Sequence, residues 1–178
     1  MLLDLSRIRT PHEHFEQVYP AEAFVADRDD FRVAAPVSLA FDIFKDKDQF
    51  RLAGRTQTTL DLSCSRCLEP IQIAVDAPFD LRYQPHGPGA PGRGKDDAER
   101  EIEEDDFTTA FYEHDQIDLA QLMREQFYLA VPMKPLCGEA CQGLCPVCGT
   151  NLNRGACTCK RDWDDPRFAA LKAFRDEK

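Results

Sequence analysis

The chemistry in this chain is carried by thiols. Eight cysteines occur in 178 residues, and six of them crowd into 23 positions as Cys137-x3-Cys141-x3-Cys145-x2-Cys148-x8-Cys157-x-Cys159. The other two form an isolated upstream pair, Cys64-x2-Cys67. Two thiolates separated by two residues can converge on one ion, because the intervening turn points both sulfurs at a common centre and aims its peptide N–H groups at them. Cys145-Pro146-Val147-Cys148-Gly149 reads as a zinc knuckle, with a glycine that permits left-handed backbone after the second cysteine. Asn151, Asn153 and Gly155 suit a loop returning toward Cys157 and Cys159. One natural partition gives a metal site of Cys145, Cys148, Cys157 and Cys159. A second site of Cys64, Cys67, Cys137 and Cys141 would then staple the tail onto the upstream sheet. Spacing alone also allows Cys137, Cys141, Cys145 and Cys148 to form one site, and it allows an iron–sulfur cluster. Closed all-thiolate sites with knuckle turns favour structural zinc, one ion or two.

Other chemistries have weaker support. A thiol-redox or metal-sensing role for Cys64-Ser65-Arg66-Cys67 can be drawn from Arg66, which would favour a thiolate. The pair does not open a helix in a βαβ pattern, where redox motifs of this spacing reside. A plain buried or free pair is the competing reading for Cys64 and Cys67. His12, His14, His86 and His114 lie in polar, turn-like stretches without ligand or triad spacing, so surface positions are expected for all four. No phosphate-binding loop, dinucleotide turn or nucleophile elbow is present. Four thiolates also close an ion to substrate. Neither enzyme activity nor a small-molecule substrate is therefore expected.

The elements that must position these thiols are legible in outline. Val37, Leu39, Phe41 and Ile43 alternate, a Thr-rich run follows from Leu52 to Leu62, and Ile71, Ile73, Val75, Phe79, Leu81 and Tyr83 continue an apolar face. Lys45 to Asp48 is a polar turn between the first two runs, and Pro78 breaks the last run or places it at an edge. Asp118 can cap a helix, with Gln121 completing a capping box, and Leu119, Leu122, Met123, Gln126, Leu129 and Ala130 give helical spacing up to Pro132. A terminal helix is expected from Asp165, with Pro166 in its first turn and Phe168, Leu171 and Phe174 on its apolar side. The expected fold is α+β: an antiparallel β-sheet core with a packed helix and a C-terminal Cys-rich zinc-knuckle module. The divisions are a sheet core with a short N-terminal segment over 1–83, a Pro/Gly-rich and acidic flexible loop over 84–117, a core-packing helix over 118–132, and the metal module with its terminal helix over 133–178.

The net charge of −10 is concentrated between Asp96 and Asp118, where 11 acidic residues meet only Arg100. A solvated loop is the plain reading, and an acidic arm that docks on a basic partner is the sharper one. Candidate contacts to RNA or a partner are Arg51, Arg55 and Arg66 near the first pair, and Lys134, Arg154, Lys160 and Arg161 around the second group, with Tyr128 and Trp163 as stacking partners. MLLDLSRIRT lacks the pattern of a secretory signal, and no stretch approaches the ~20 apolar residues of a membrane span. A soluble cytoplasmic protein with reduced thiols and no membrane association is expected.

In order over most of its length, the chain resembles the YceD family, the large ribosomal RNA subunit accumulation proteins of bacteria and plastids. The resemblance is carried by Leu62-Ser63-Cys64-Ser65-Arg66-Cys67-Leu68, by the acidic segment before Ile117-Asp118-Leu119, and by Ala130-Val131-Pro132. It continues through Pro135-Leu136-Cys137, Gly143-Leu144-Cys145-Pro146-Val147-Cys148-Gly149-Thr150-Asn151-Leu152-Asn153 and Asp165-Pro166-Arg167-Phe168-Ala169-Ala170-Leu171. It implies a non-catalytic factor needed for 23S rRNA accumulation and large-subunit biogenesis, with ribosomal RNA or a ribosomal protein as partner. The family's Cys-x-Arg-Cys element falls on Cys64, Arg66 and Cys67. Some members keep that element without the C-terminal cysteines, which implies a self-contained tail site here. A protein-interaction module unrelated to ribosomes is the remaining alternative.

Overall fold

Side chains that alternate along an extended backbone divide between two faces, and this division builds the core. The computed structural model describes residues 1–24, 31–85 and 109–159. In strand β4 (Val37–Asp46) the odd positions Val37, Leu39, Phe41 and Ile43 are all buried. The parity switches in β5 (Gln49–Ser63), where Phe50, Leu52, Thr56, Leu60 and Leu62 turn inward, and switches back in β6 (Pro70–Pro85) for Val75, Ala77, Phe79 and Tyr83. Antiparallel register aligns these sets, with Ile43 opposite Leu52 and Leu52 opposite Leu81. The β4–β5 hairpin closes at Lys47, whose φ of 55° is left-handed.

The core sheet contains six described strands: β2 (His12–Tyr19), β4, β5, β6 and β7 (Thr109–Tyr112) are neighbours in that order, and β3 (Arg32–Val33) also pairs with β5. Strand β2 lies antiparallel to β4. His12 and His14 are therefore exposed strand residues rather than turn residues, and both ring nitrogens contact Asp42 Oδ1, at 2.9 and 3.1 Å. Strand β7 pairs parallel to β6, so the sheet is not wholly antiparallel. A parallel neighbour needs a crossover of a dozen or more residues, and residues 86–108 make that connection. Pro78 does not break β6. It pairs opposite Arg55, short of the β7 ladder that begins at Arg82. A separate two-stranded ladder joins β1 (Leu2–Asp4) to β8 (Gln116–Asp118). Within the span 84–117, then, β7 and β8 are strands. Residues 86–108, which hold most of the acidic run, and the terminal helix expected from Asp165 lie outside the described residues.

Helix α1 (Leu119–Ala130) packs Leu119, Leu122, Met123 and Phe127 into the sheet. Asp118 caps it, its carboxylate accepting from the Ala120 and Gln121 N–H groups. Gln121 does not complete a capping box; its side-chain amide donates to Glu125 Oε1 instead, at 2.9 Å. The buried position near the end is Phe127, set edge-on to Phe24 and Phe31, whereas Leu129 is 79% exposed. Val131 takes extended backbone and the helix stops before Pro132. Among the described residues no helix is long and apolar enough to cross a membrane.

Two β5 positions give opposite expectations. A Cβ at Gly54 would collide with the Ala40 carbonyl and with the backbone and Cβ of Phe41, so Gly54→Val should cost about 1–3 kcal/mol or more by overpacking. Thr56 Oγ1 is buried without a hydrogen-bond partner among the described residues, so Thr56→Val should be neutral or stabilising by a few tenths to ~1 kcal/mol. Urea unfolding midpoints of the two variants test both signs.

Candidate metal centre

The β5–β6 hairpin ends in the first cysteine pair, and its turn hydrogen bonds fix where the sulfurs go. The Leu68 N–H donates to the Cys64 carbonyl at 2.9 Å, and the Cys64 N–H donates to the Glu69 carbonyl at 2.8 Å. The downstream pair repeats this: the Gly149 N–H donates to the Cys145 carbonyl at 2.9 Å, and the Cys145 N–H donates to the Thr150 carbonyl at 2.8 Å. In both turns the residue after the second cysteine is left-handed, Leu68 at φ 59° and Gly149 at φ 73°. The same knuckle is built twice. A glycine advertises the second copy in the sequence; a leucine in that strained position hides the first.

The tail folds back so that the knuckles and the remaining thiols form two groups. The sulfurs of Cys64, Cys67, Cys137 and Cys141 lie within 4.8 Å of one another, as do those of Cys145, Cys148, Cys157 and Cys159. We call these the hairpin cluster and the tail cluster. A tetrahedral ion with metal–sulfur bonds of ~2.3 Å separates its sulfurs by ~3.8 Å. Cys64 and Cys141 Sγ stand 3.8 Å apart, and Cys67 and Cys137 Sγ 3.6 Å. A disulfide would need ~2.05 Å, and all eight thiols are free. Each cluster could hold one metal ion.

Backbone contacts lash the tail to the hairpin. The Ser65 N–H donates to the Pro135 carbonyl, the Leu144 N–H donates to the Arg66 carbonyl, and the Arg66 guanidinium donates to the Cys141 carbonyl at 2.9 Å. Gly143, at φ 74°, passes so close to Arg66 that a Cβ would sit 3.0 Å from the Arg66 carbonyl oxygen.

The thiols divide into stabilised and opposed acids. The Cys67 backbone N–H, with those of Arg66 and Cys137, holds Cys64 down to about 6. The Thr150 hydroxyl and N–H hold Cys148 down to about 6 as well. The Asn153 amide lowers Cys141, and the Cys148 and Val147 N–H groups lower Cys145. Their neighbours bear the cost. Cys141 and Cys67 push Cys137 up to about 12, and Cys148 with burial pushes Cys159 up to about 12. For Cys67 the Glu69 N–H acts downward, but burial and Cys64 outweigh it; for Cys157 the Cys159 N–H is likewise outweighed, by Cys145 and burial. Four thiolates confined to one small volume cannot all ionise unless a cation neutralises them.

The redox reading of the first pair finds little in this geometry. Cys64 and Cys67 are buried in a hairpin turn and drawn into a four-thiol group. Among the described residues, most of the candidate RNA-contact arginines are already paired. Arg51 pairs with Asp80 on the outer sheet face, Arg55 with Asp76 at 3.6 Å, and Arg154 with Glu69 at 2.8 Å. Arg66 is committed to the tail carbonyls, while Lys134 is exposed between α1 and Cys137. Tyr128 packs edge-on against Phe31 at 4.8 Å. Lys160, Arg161 and Trp163 lie outside the described residues. Sequence reasoning missed Asn153 as a sulfur partner and Thr150 as a thiolate donor; their only signal was placement in the return loop after the knuckle.

A family model described as large ribosomal RNA subunit accumulation protein YceD matches residues 52–175, which include both cysteine groups. The chain belongs to the YceD family. It is 26% identical over 167 residues to the chloroplastic YCED homolog 1 of Arabidopsis thaliana, covering 85% of this chain and 52% of that protein. The corresponding Zea mays protein is 28% identical over 143 residues, covering 70% and 49%. An uncharacterized Mycobacterium tuberculosis protein is 29% identical over 109 residues, covering 61% and 47%. The chain thus spans about half the length of the curated relatives it matches. No solved structure matches it.

Metal uptake should release at least two protons per ion near neutral pH, because the two raised thiols of each cluster are protonated there and must ionise to bind. Protons compete with metal, so affinity should rise with pH. Below about pH 6, where Cys64 and Cys148 also protonate, the loss of affinity on acidification should steepen. Indicator-dye measurement of proton release in weak buffer checks this; uptake without proton release would contradict it.

Proposed function

We propose that this chain is a non-enzymatic factor in large-subunit biogenesis, needed for 23S rRNA accumulation, with a structural zinc ion in each cluster. The observation that carries the metal reading is the pair of closed four-thiol groups, with near-tetrahedral sulfur spacing in the hairpin cluster. Four sulfurs gathered around one centre suit a single ion better than an iron–sulfur cluster, whose ligands bind separate irons and stand farther apart. A site closed by four protein ligands offers no open position for substrate, so the ions stabilise structure and perform no hydrolysis. Process and family go together: the family is described by rRNA accumulation, and its matched span contains both knuckles.

Of the two partner classes, a basic ribosomal protein suits the surface better than naked RNA. Arg51, Arg55 and Arg154 are neutralised by carboxylates, and Arg66 is spent on internal carbonyls. Each loaded tetrathiolate site adds a local charge of about −2, which further disfavours phosphate. The acidic run between residues 96 and 106 would steer a basic partner toward the same cytoplasmic assembly. Depletion is expected to lower 23S rRNA and the large-subunit gradient peak together. Tagged protein should retain large-subunit proteins after ribonuclease treatment and lose them with rising salt. Unchanged 23S rRNA on depletion would overturn the process, and loss of all partners to ribonuclease would overturn the protein-partner assignment.

A further inference from the structure

Resting on the reading that both clusters bind metal, we propose that the two sites load as a coupled pair, with Asn153 as the positioning residue that transmits occupancy of the tail cluster to the hairpin cluster. Asn153 lies in the return loop between Cys148 and Cys157, so its place in the chain belongs to the tail cluster. Its side chain serves the other site: Nδ2 donates to Cys141 Sγ at 3.3 Å. The amide is held in this pose from two sides. Its Oδ1 accepts from the Gln142 N–H at 2.7 Å, next to Cys141, and Nδ2 also donates to Asn151 Oδ1 at 3.0 Å.

A second strut runs parallel. Glu69, which closes the hairpin knuckle through its backbone, uses one carboxylate oxygen to accept from Asn151 Nδ2 at 3.0 Å and the other to pair with Arg154 at 2.8 Å. The loop is thus threaded between its own knuckle and a thiolate of the neighbouring site, with Leu144 bridging to Asn151 and the Leu152 N–H donating to the Gly143 carbonyl.

The physical consequence is reciprocal. An ion in the tail cluster draws Cys157 and Cys159 onto the knuckle and fixes the loop ends. That ordering sets the Asn153 amide on Cys141, where a donor stabilises the bound thiolate. Outer contacts of this kind are worth roughly 10- to 100-fold in metal affinity. Linkage then requires an ion in the hairpin cluster to strengthen the tail site by the same factor.

Cobalt(II) titration of the full chain, followed by thiolate charge-transfer absorption in competition with a chelator, tests the proposal. The hairpin-site affinity is read in a variant whose tail cluster is disabled, Cys148→Ser/Cys159→Ser, and compared with wild type and with Asn153→Ala, which keeps all eight ligands. Coupling predicts that Asn153→Ala and the disabled tail site each weaken the hairpin site by about 10-fold or more, and that combining them adds little. Asn153→Asp, which loses the donor and places a carboxylate beside the Cys141 thiolate, should weaken the hairpin site at least as much as Asn153→Ala. Wild type that binds two ions, with hairpin-site affinity unchanged in Asn153→Ala, would overturn the coupling while leaving the metal reading intact. Wild type that binds no cobalt would overturn the metal reading and the coupling with it.

Discussion

Four thiols brought within 4.8 Å of one another form a site whose charge cannot be sustained by protein alone, and the described tail over residues 135–159 is organised around that constraint. Between residues 133 and 159 the described tail has little buried apolar material of its own. Around the hairpin cluster the packed hydrophobics are Ile71, Leu136 and Leu144, set against Cys64, Cys67 and Cys141. Small modules of this kind fold on metal because ligand binding supplies what a core too small to close cannot. The hairpin cluster also joins residues distant in sequence, tying the turn at 64–67 to the segment at 137–141.

The sheet gives that closure a fixed platform. Strands β5 and β6 stay in register from Phe50 opposite Tyr83 to Ser63 opposite Pro70, so the knuckle at their end is held by a continuous ladder rather than by a loose loop. Helix α1 packs Phe127 against Phe24 and Phe31, and the chain then leaves toward Pro135, whose carbonyl receives the Ser65 N–H. Core and tail are thus connected by hydrogen bonds that converge on the two turns, with Arg66 and Glu69 facing the tail.

Much of this was legible in the sequence where a period or a cap states it directly. The alternation in β4, β5 and β6, the Asp118 cap and the helix stop before Pro132 follow from residue types alone. The two sulfur groups coincide with one of the partitions that spacing permits, although spacing could not choose among them. Strand β2 was hidden because its inward residues, Phe15 and Tyr19, sit at a sheet edge among Glu13, Glu16 and Gln17, which blurs the pattern. The parallel β7 had no signal, since a strand's direction relative to its neighbour is decided by the crossover and not by local sequence. Phe127 replaced Leu129 on the buried face because the core selected the larger ring where Phe24 and Phe31 converge. Leu68 concealed a knuckle that a glycine would have announced.

On the proposed reading, two tetrathiolate ions close this structure, one of them shared between sheet and tail. The most direct measurement is native mass spectrometry of the full chain purified without chelator, comparing wild type with Cys64→Ser/Cys67→Ser. Two zinc ions per chain are expected in the wild type and one in the variant. Wild type without metal, or a count that the substitution leaves unchanged, would contradict that reading.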